Sequence, residues 1–215
     1  MSDINQLENF KVVLLGETGV GKTSIISQFI DSTFQEDLQA STGGTFSSKT
    51  LVYDNGKTLK FEIWDTAGQE RYRALAKMFY KDANAAILVY DVTRKETFDE
   101  LKNYWAGQVR DNAPEKIILA IAGNKSDLIE QETVDEGEAR NFAKELNAIF
   151  ISTSAKSSEG INNLFEEIAK KHTGATNISI AKGNVEEPHA EEKNDKVKIE
   201  NPGKAKKQKK KGGFC

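Results

Sequence analysis

The chain has 215 residues, with 30 Lys+Arg against 33 Asp+Glu, two histidines and one cysteine; at about 150 residues per domain it reads as one medium domain plus an appendage. Hydrophobic residues make up 38% and charged residues 29%, and apolar runs such as 85–90 and 117–122 fall far short of the roughly 18 residues of a membrane-spanning helix. A lone cysteine excludes an internal disulfide and two histidines without a neighbouring cysteine exclude a structural zinc site, so a reducing, cytoplasmic setting is expected.

Met1 to Phe10 carries Asp3 and Glu8 and no apolar core, unlike a secretory signal, and no Gly follows Met1 for myristoylation. Residues 10–15 then form a buried-type strand, and Ile25, Ile26, Phe29 and Ile30 give the apolar face of a first helix. Asp54-Asn55-Gly56-Lys57 signals a hairpin turn between antiparallel strands at 45–53 and 58–63. Runs at 85–90, 116–122 and 149–151 supply three further strands. Thr93-x-x-Glu96 and Thr133-x-x-Glu136 fit capping boxes, each ahead of apolar residues at helical spacing: Phe98, Leu101, Trp105 and Val109, then Ala139, Phe142, Ala143 and Leu146. Ile161, Leu164, Phe165 and Ile168 mark the last helix. The expected fold is α/β, a three-layer arrangement with a six-stranded, mainly parallel sheet and helices on both faces.

From Gly174 onward ten Lys face five Glu and one Asp, a net +4 that leaves −7 for residues 1–173. An acidic body argues against a nucleic-acid partner. The tail, 174–215, offers almost nothing to bury and reads as disordered, with Lys204, Lys206, Lys207, Lys209, Lys210 and Lys211 close to its end.

Gly16-Glu17-Thr18-Gly19-Val20-Gly21-Lys22-Thr23 matches G-x-x-x-x-G-K-[ST] between a strand and a helix. Successive main-chain N–H groups in such a loop curl around phosphate oxygens, and the helix N-terminus adds partial positive charge. Gly19, Val20, Gly21, Lys22, Thr23 and Ser24 are the expected contacts; Lys22 reaches the β- and γ-phosphates and the Thr23 hydroxyl ligates Mg²⁺. This motif indicates a nucleotide without choosing the base. Asn124-Lys125-Ser126-Asp127 follows a strand at its carboxyl end, where open α/β sheets bind ligands. The Asp127 carboxylate can accept from the ring N–H and exocyclic amine of guanine, donors adenine lacks at those positions, so discrimination of order 10⁴ is expected. Ser154-Ala155-Lys156 offers backbone N–H groups to the base oxygen.

These segments, with Trp64-Asp65-Thr66-Ala67-Gly68-Gln69-Glu70-Arg71-Tyr72 between them, stand in the order and spacing of Ras-superfamily small GTPases. Trp64 to Tyr72 and Tyr90-Asp91-Val92-Thr93 resemble the Rab branch, and 71–80 the early-endosomal Rab subgroup. The resemblance, which covers about 9–173, implies a GTP-binding P-loop domain over 1–173 that cycles between GTP and GDP with Mg²⁺. It further implies that Asp65 holds the metal, that the Gly68 N–H contacts the γ-phosphate and that Gln69 orients the attacking water. Phe34 corresponds to the aromatic packed on the guanine edge. Phe46, Trp64 and Phe79 correspond to the three aromatics that Rab proteins present to effectors. No internal arginine finger is evident, so intrinsic hydrolysis of order 10⁻⁴ to 10⁻³ per second is expected, accelerated by a GTPase-activating protein. Loss of the γ-phosphate would release the loops around Ser41 and Gln69 and with them the effectors; an exchange factor completes the partner set, on a monomeric protein.

Two positions depart from the family pattern. Ser41 stands where a threonine is usual for the metal; it keeps the oxygen, while Thr42 could substitute if the loop shifted by one residue. Gly44 adds a second glycine after Gly43, with backbone freedom to be lost on ordering. The terminus Gly212-Gly213-Phe214-Cys215 has a single cysteine and no C-a-a-X signal. The lysines upstream supply a second attraction to anionic lipid, which a single prenyl chain on Cys215 would need. The leading expectation is a peripheral switch on the cytosolic face of membranes, endosomal among them, that regulates vesicular trafficking. A guanine-nucleotide scaffold that does not turn over is the alternative. A P-loop ATPase or small-molecule kinase is disfavoured by Asn124 and Asp127.

Overall fold

A computed structural model of the chain describes residues 7–36, 44–53, 58–66, 78–175 and 178–179, all within the unit Met1–Gly183. The elements run β1 (Leu7–Leu15), α1 (Lys22–Asp31), β2 (Thr45–Tyr53), β3 (Thr58–Asp65), β4 (Ala85–Asp91), α2 (Lys95–Glu100), a π-helical segment (Leu101–Trp105), α3 (Ala106–Asn112), β5 (Ile118–Asn124), α4 (Glu136–Glu145), β6 (Ile149–Thr153), α5 (Ile161–Thr173) and β7 (Ile178–Ser179). The sheet order is β6-β5-β4-β1-β3-β2-β7. Strands β6 to β3 pair in parallel and β2 lies antiparallel on β3.

The periodicity of the sequence sets the layers. Strand β4, AAILVYD, is buried at every position, as a central parallel strand covered on both faces must be. On one face Phe10, Val12 and Leu14 meet Ile25 and Phe29 of α1 and Leu164, Phe165 and Ile168 of α5; the Phe29 and Phe165 rings stack at 3.7 Å. On the other face Val13, Leu15 and Leu88 meet Phe98, Leu101, Trp105 and Val109, with Ala139 and Ala143 of α4. Alternation along β1 thus sends odd and even residues into two separate cores. Among the described residues no helix is long and apolar enough to cross a membrane.

The six expected strands are present, and a seventh joins them: Ser179 pairs with Val52 and Ile178 with Tyr53, antiparallel. This pairing lies beyond residue 173, inside the segment whose composition reads as disordered. Both expected capping boxes are replaced. The Thr133 amide and hydroxyl donate to the Val92 carbonyl, and the cap of α4 is Asp135, whose Oδ1 accepts from the Glu138 amide at 2.8 Å. The cap thus moves two residues later and is one-sided, since the Glu138 carboxylate accepts from Lys95 and Lys102. The Thr93 hydroxyl donates instead to Asp91 Oδ1, at 2.7 Å, and α2 starts after Arg94 without a side-chain cap.

Candidate nucleotide site

The carboxyl ends of β1, β3, β5 and β6 open on a cleft of about 350 Å³. Strand β1 delivers the glycine loop to its floor. There Gly19 and Gly21 adopt φ of +78° and +95°, conformations that L residues with a Cβ avoid. A Cβ on Gly21 would also run into the Asn124 side-chain amide. Gly21 caps α1, so the loop curls directly into a helix N-terminus, the arrangement that favours phosphate. Lys22 is only 6% exposed and its Nζ donates to the carbonyls of Gly16 at 2.8 Å and Glu17 at 2.9 Å. Desolvation lowers its pKa to about 8, against the opposing attraction of Asp65 and Glu17.

At the end of α1 nearest the loop, the Thr23 hydroxyl donates to Asp65 Oδ2 at 2.5 Å. A hydroxyl and a carboxylate that meet beside a phosphate loop form a hard-oxygen donor pair, which suits Mg²⁺. Asp65 itself is buried at the end of β3 and lies behind the cleft wall; Thr23 and Ser24 line it.

The base end is built from β5 and β6. Asn124, Lys125 and Asp127 line the cleft with Ala155 and Lys156. Asn124 is buried and braces its neighbours: Nδ2 donates to the Val20 carbonyl at 2.8 Å, while Oδ1 accepts from the Ala155 amide at 3.3 Å. Val20 is itself fully buried and contributes through that carbonyl. Ser154 is not in the wall. Its amide donates to the Glu159 carbonyl, so it is not offered to a base, and its hydroxyl donates to Asp127 Oδ1 at 2.6 Å. Phe34, 38% exposed, lines the same end.

Other contributors went unread in the sequence. Glu36 pairs with Lys156 at 2.8 Å at the cleft wall. Asp91, buried at the end of β4, accepts from Lys125 at 2.7 Å and Arg94 at 3.1 Å. Burial opposes its charge, yet the bonds from Lys125 and Thr93 overcome that and hold its carboxyl below the usual range. A carboxylate that closes a wholly apolar strand was the available signal. Ser41, Gly68, Gln69 and Cys215 lie outside the described residues.

Away from the cleft, Phe46 and Trp64 meet edge to face at 5.3 Å, and Trp64 and Phe79 lie tilted at 5.7 Å. Phe46 is 42% exposed. The three aromatics of the resemblance therefore form one contiguous surface.

The Ras family model matches residues 11–173. "Ras-related protein Rab-22A" of Homo sapiens is 49% identical over 77% of this chain and 84% of its own length, and the Mus musculus protein of that name is 48% identical over 82% and 91%. "GTP-binding protein ypt5" of Schizosaccharomyces pombe is 43% identical over 82% and 84%. A phosphate loop and a base loop are tied together in one cleft, and the chain belongs to the Ras family, as a Rab-type small GTPase.

Proposed function

We propose that the protein is a GTP/GDP switch that regulates vesicular, chiefly endosomal, membrane trafficking. The observation that carries the reading is the junction of the two ends of the cleft, where Asn124 of the base loop holds Val20 of the phosphate loop. A polyphosphate and a purine are thereby gripped by one rigid unit. The main-chain N–H groups of 19–21 and Lys22 hold the phosphates, Asp127 reads the guanine ring, and Phe34 and Lys156 cover its edge.

Thr23, Asp65 and Ser41 are the residues assigned to Mg²⁺, which when bound would neutralise charge on the β- and γ-oxygens. Gln69 positions the attacking water and the Gly68 N–H marks the presence of the γ-phosphate. Since this transfer depends on positioning and electrostatics, turnover is slow until a GTPase-activating protein completes the site. Effectors engage through the switch loops and the Phe46–Trp64–Phe79 surface, and an exchange factor reloads the cleft. Attachment to the cytosolic face of membranes is assigned to a prenyl group on Cys215 with the six lysines of 204–211, on a monomer.

Chromatography of the nucleotide released from the purified protein tests the first step: GDP or GTP is expected, and an adenosine nucleotide would refute the reading. Single-turnover hydrolysis with and without an activating protein separates a switch from a scaffold. For the membrane arm, Cys215→Ser should move the protein from endosomal membranes to the soluble fraction.

A further inference from the structure

Carbonyl and N–H groups of one peptide plane point in opposite directions. Whatever holds a carbonyl on the outside of the phosphate loop therefore aims the next N–H inward. Asn124 holds the Val20 carbonyl in this way from the base loop. The Thr18 carbonyl accepts from Arg94 Nη2 at 3.1 Å across 76 residues of sequence. The following residue, Gly19, has φ +78° and, as glycine, meets little steric resistance to turning over. This peptide is the place where the loop most needs an external hold.

Arg94 is itself fixed. Its Nε donates to Asp91 Oδ2 at 3.1 Å, its amide donates to the Asp91 carbonyl at 3.0 Å, and its carbonyl accepts from the Thr97 hydroxyl at 2.8 Å. The same Asp91 oxygen takes the Lys125 ammonium at 2.7 Å. One buried carboxylate thus binds a cation of the base loop and a cation that holds the phosphate loop. Only a forked guanidinium spans both partners at once; an ammonium is a single point.

We propose that Arg94 is a positioning residue of the nucleotide site, which pins the Thr18–Gly19 peptide so that the Gly19 N–H faces the phosphates and nucleotide release is slowed. The inference rests on the nucleotide-switch reading and adds to it a hold outside the cleft, on the loop that leaves β4.

The test compares the full chain with Arg94→Ala and Arg94→Lys, each loaded with fluorescent GDP and chased with unlabelled GDP in Mg²⁺. Arg94→Ala should release about tenfold faster, the scale of one lost charge-assisted hydrogen bond, and Arg94→Lys should fall between. Asp91 keeps Lys125 and Thr93 in either variant, so neither leaves a bare buried carboxylate. Phosphorus NMR of bound GDP supplies the readout a merely structural role would not move: the β-phosphorus resonance should shift in Arg94→Ala and return toward the parent position in Arg94→Lys. Unchanged release overturns the proposal, as does faster release with an unmoved β-phosphorus resonance and a lowered melting temperature. Failure of the parent protein to bind guanine nucleotide would instead remove the underlying reading.

Discussion

Asn124 and Val20 are 104 positions apart, yet the Asn124 amide donates to the Val20 carbonyl at 2.8 Å in a buried contact. Because the Asn124 oxygen also accepts from Ala155, one side chain fastens three loops that would otherwise move independently. Its main contribution is to bring the two recognition elements to a fixed separation, which preorganises the cleft for a ligand that must touch both.

Asn124→Ala should therefore weaken GDP binding by roughly ten- to a hundredfold, because the Val20 carbonyl is left buried without its partner, a loss of about 1–3 kcal/mol. The preference for guanine over adenine should survive, since Asp127 remains. Competition binding with GDP and ADP checks both; lost discrimination would place Asn124 on the base.

Ser154→Ala tests a subtler support. The serine hydroxyl donates to Asp127 Oδ1 at 2.6 Å and accepts from the Ser157 amide at 3.0 Å, which fixes the carboxylate that should read guanine. Loss of that bond should cost about 1 kcal/mol or somewhat more, seen as a five- to twentyfold increase in Kd for GDP, with the melting point of the nucleotide-free protein little changed.

The layers and the cleft were legible because they depend on local signals. Strand β4 announces itself as a run of seven apolar or terminal residues, and the glycine loop as a spacing that only phosphate binding explains. Helix starts were less legible. Thr133 and Thr93 have the right chemistry, but the backbone after β4 claims Thr133 through Val92, and Asp91 claims Thr93. The roles of Asp91, Arg94 and Glu36 are not legible for a related reason: each acts through a partner distant in sequence, and a single chain carries no sign of which charge will face which. The strand at 178–179 is only two residues long, so the β2 edge, not its own sequence, determines it.

Gly44 looks in the sequence like surplus freedom, and its surroundings give it another meaning. A Cβ there would stand 2.8 Å from Cζ of Phe79, so the absent side chain makes room for a ring of the aromatic surface. Gly44→Ala should push Phe79 away from Trp64, now 5.7 Å distant. Near-UV circular dichroism and tryptophan emission should both change, while GDP release stays within about twofold because the cleft is untouched. An unchanged tryptophan spectrum would mean that the ring accommodates the methyl group in place.

The buried ammonium of Lys22 should make nucleotide binding depend on pH in a direction opposite to the stability of the empty protein. Its pKa falls from 10.5 to about 8 through desolvation, with Asp65 and Glu17 opposing. Between those two values the unfolded chain binds more protons than the folded one, so this residue's contribution to the empty protein's stability rises as pH climbs from about 8 toward 10.5. A phosphate beside Lys22 favours the charged form instead. GDP binding near pH 8 should then take up about half a proton at this residue, and affinity should decline between about pH 7 and 9. Titration calorimetry at pH 8 in two buffers of different ionisation enthalpy measures that uptake directly. Binding without proton uptake, and an affinity flat over the same interval, would mean that the ammonium is already fully charged in the empty cleft, with the Gly16 and Glu17 carbonyls compensating its burial completely.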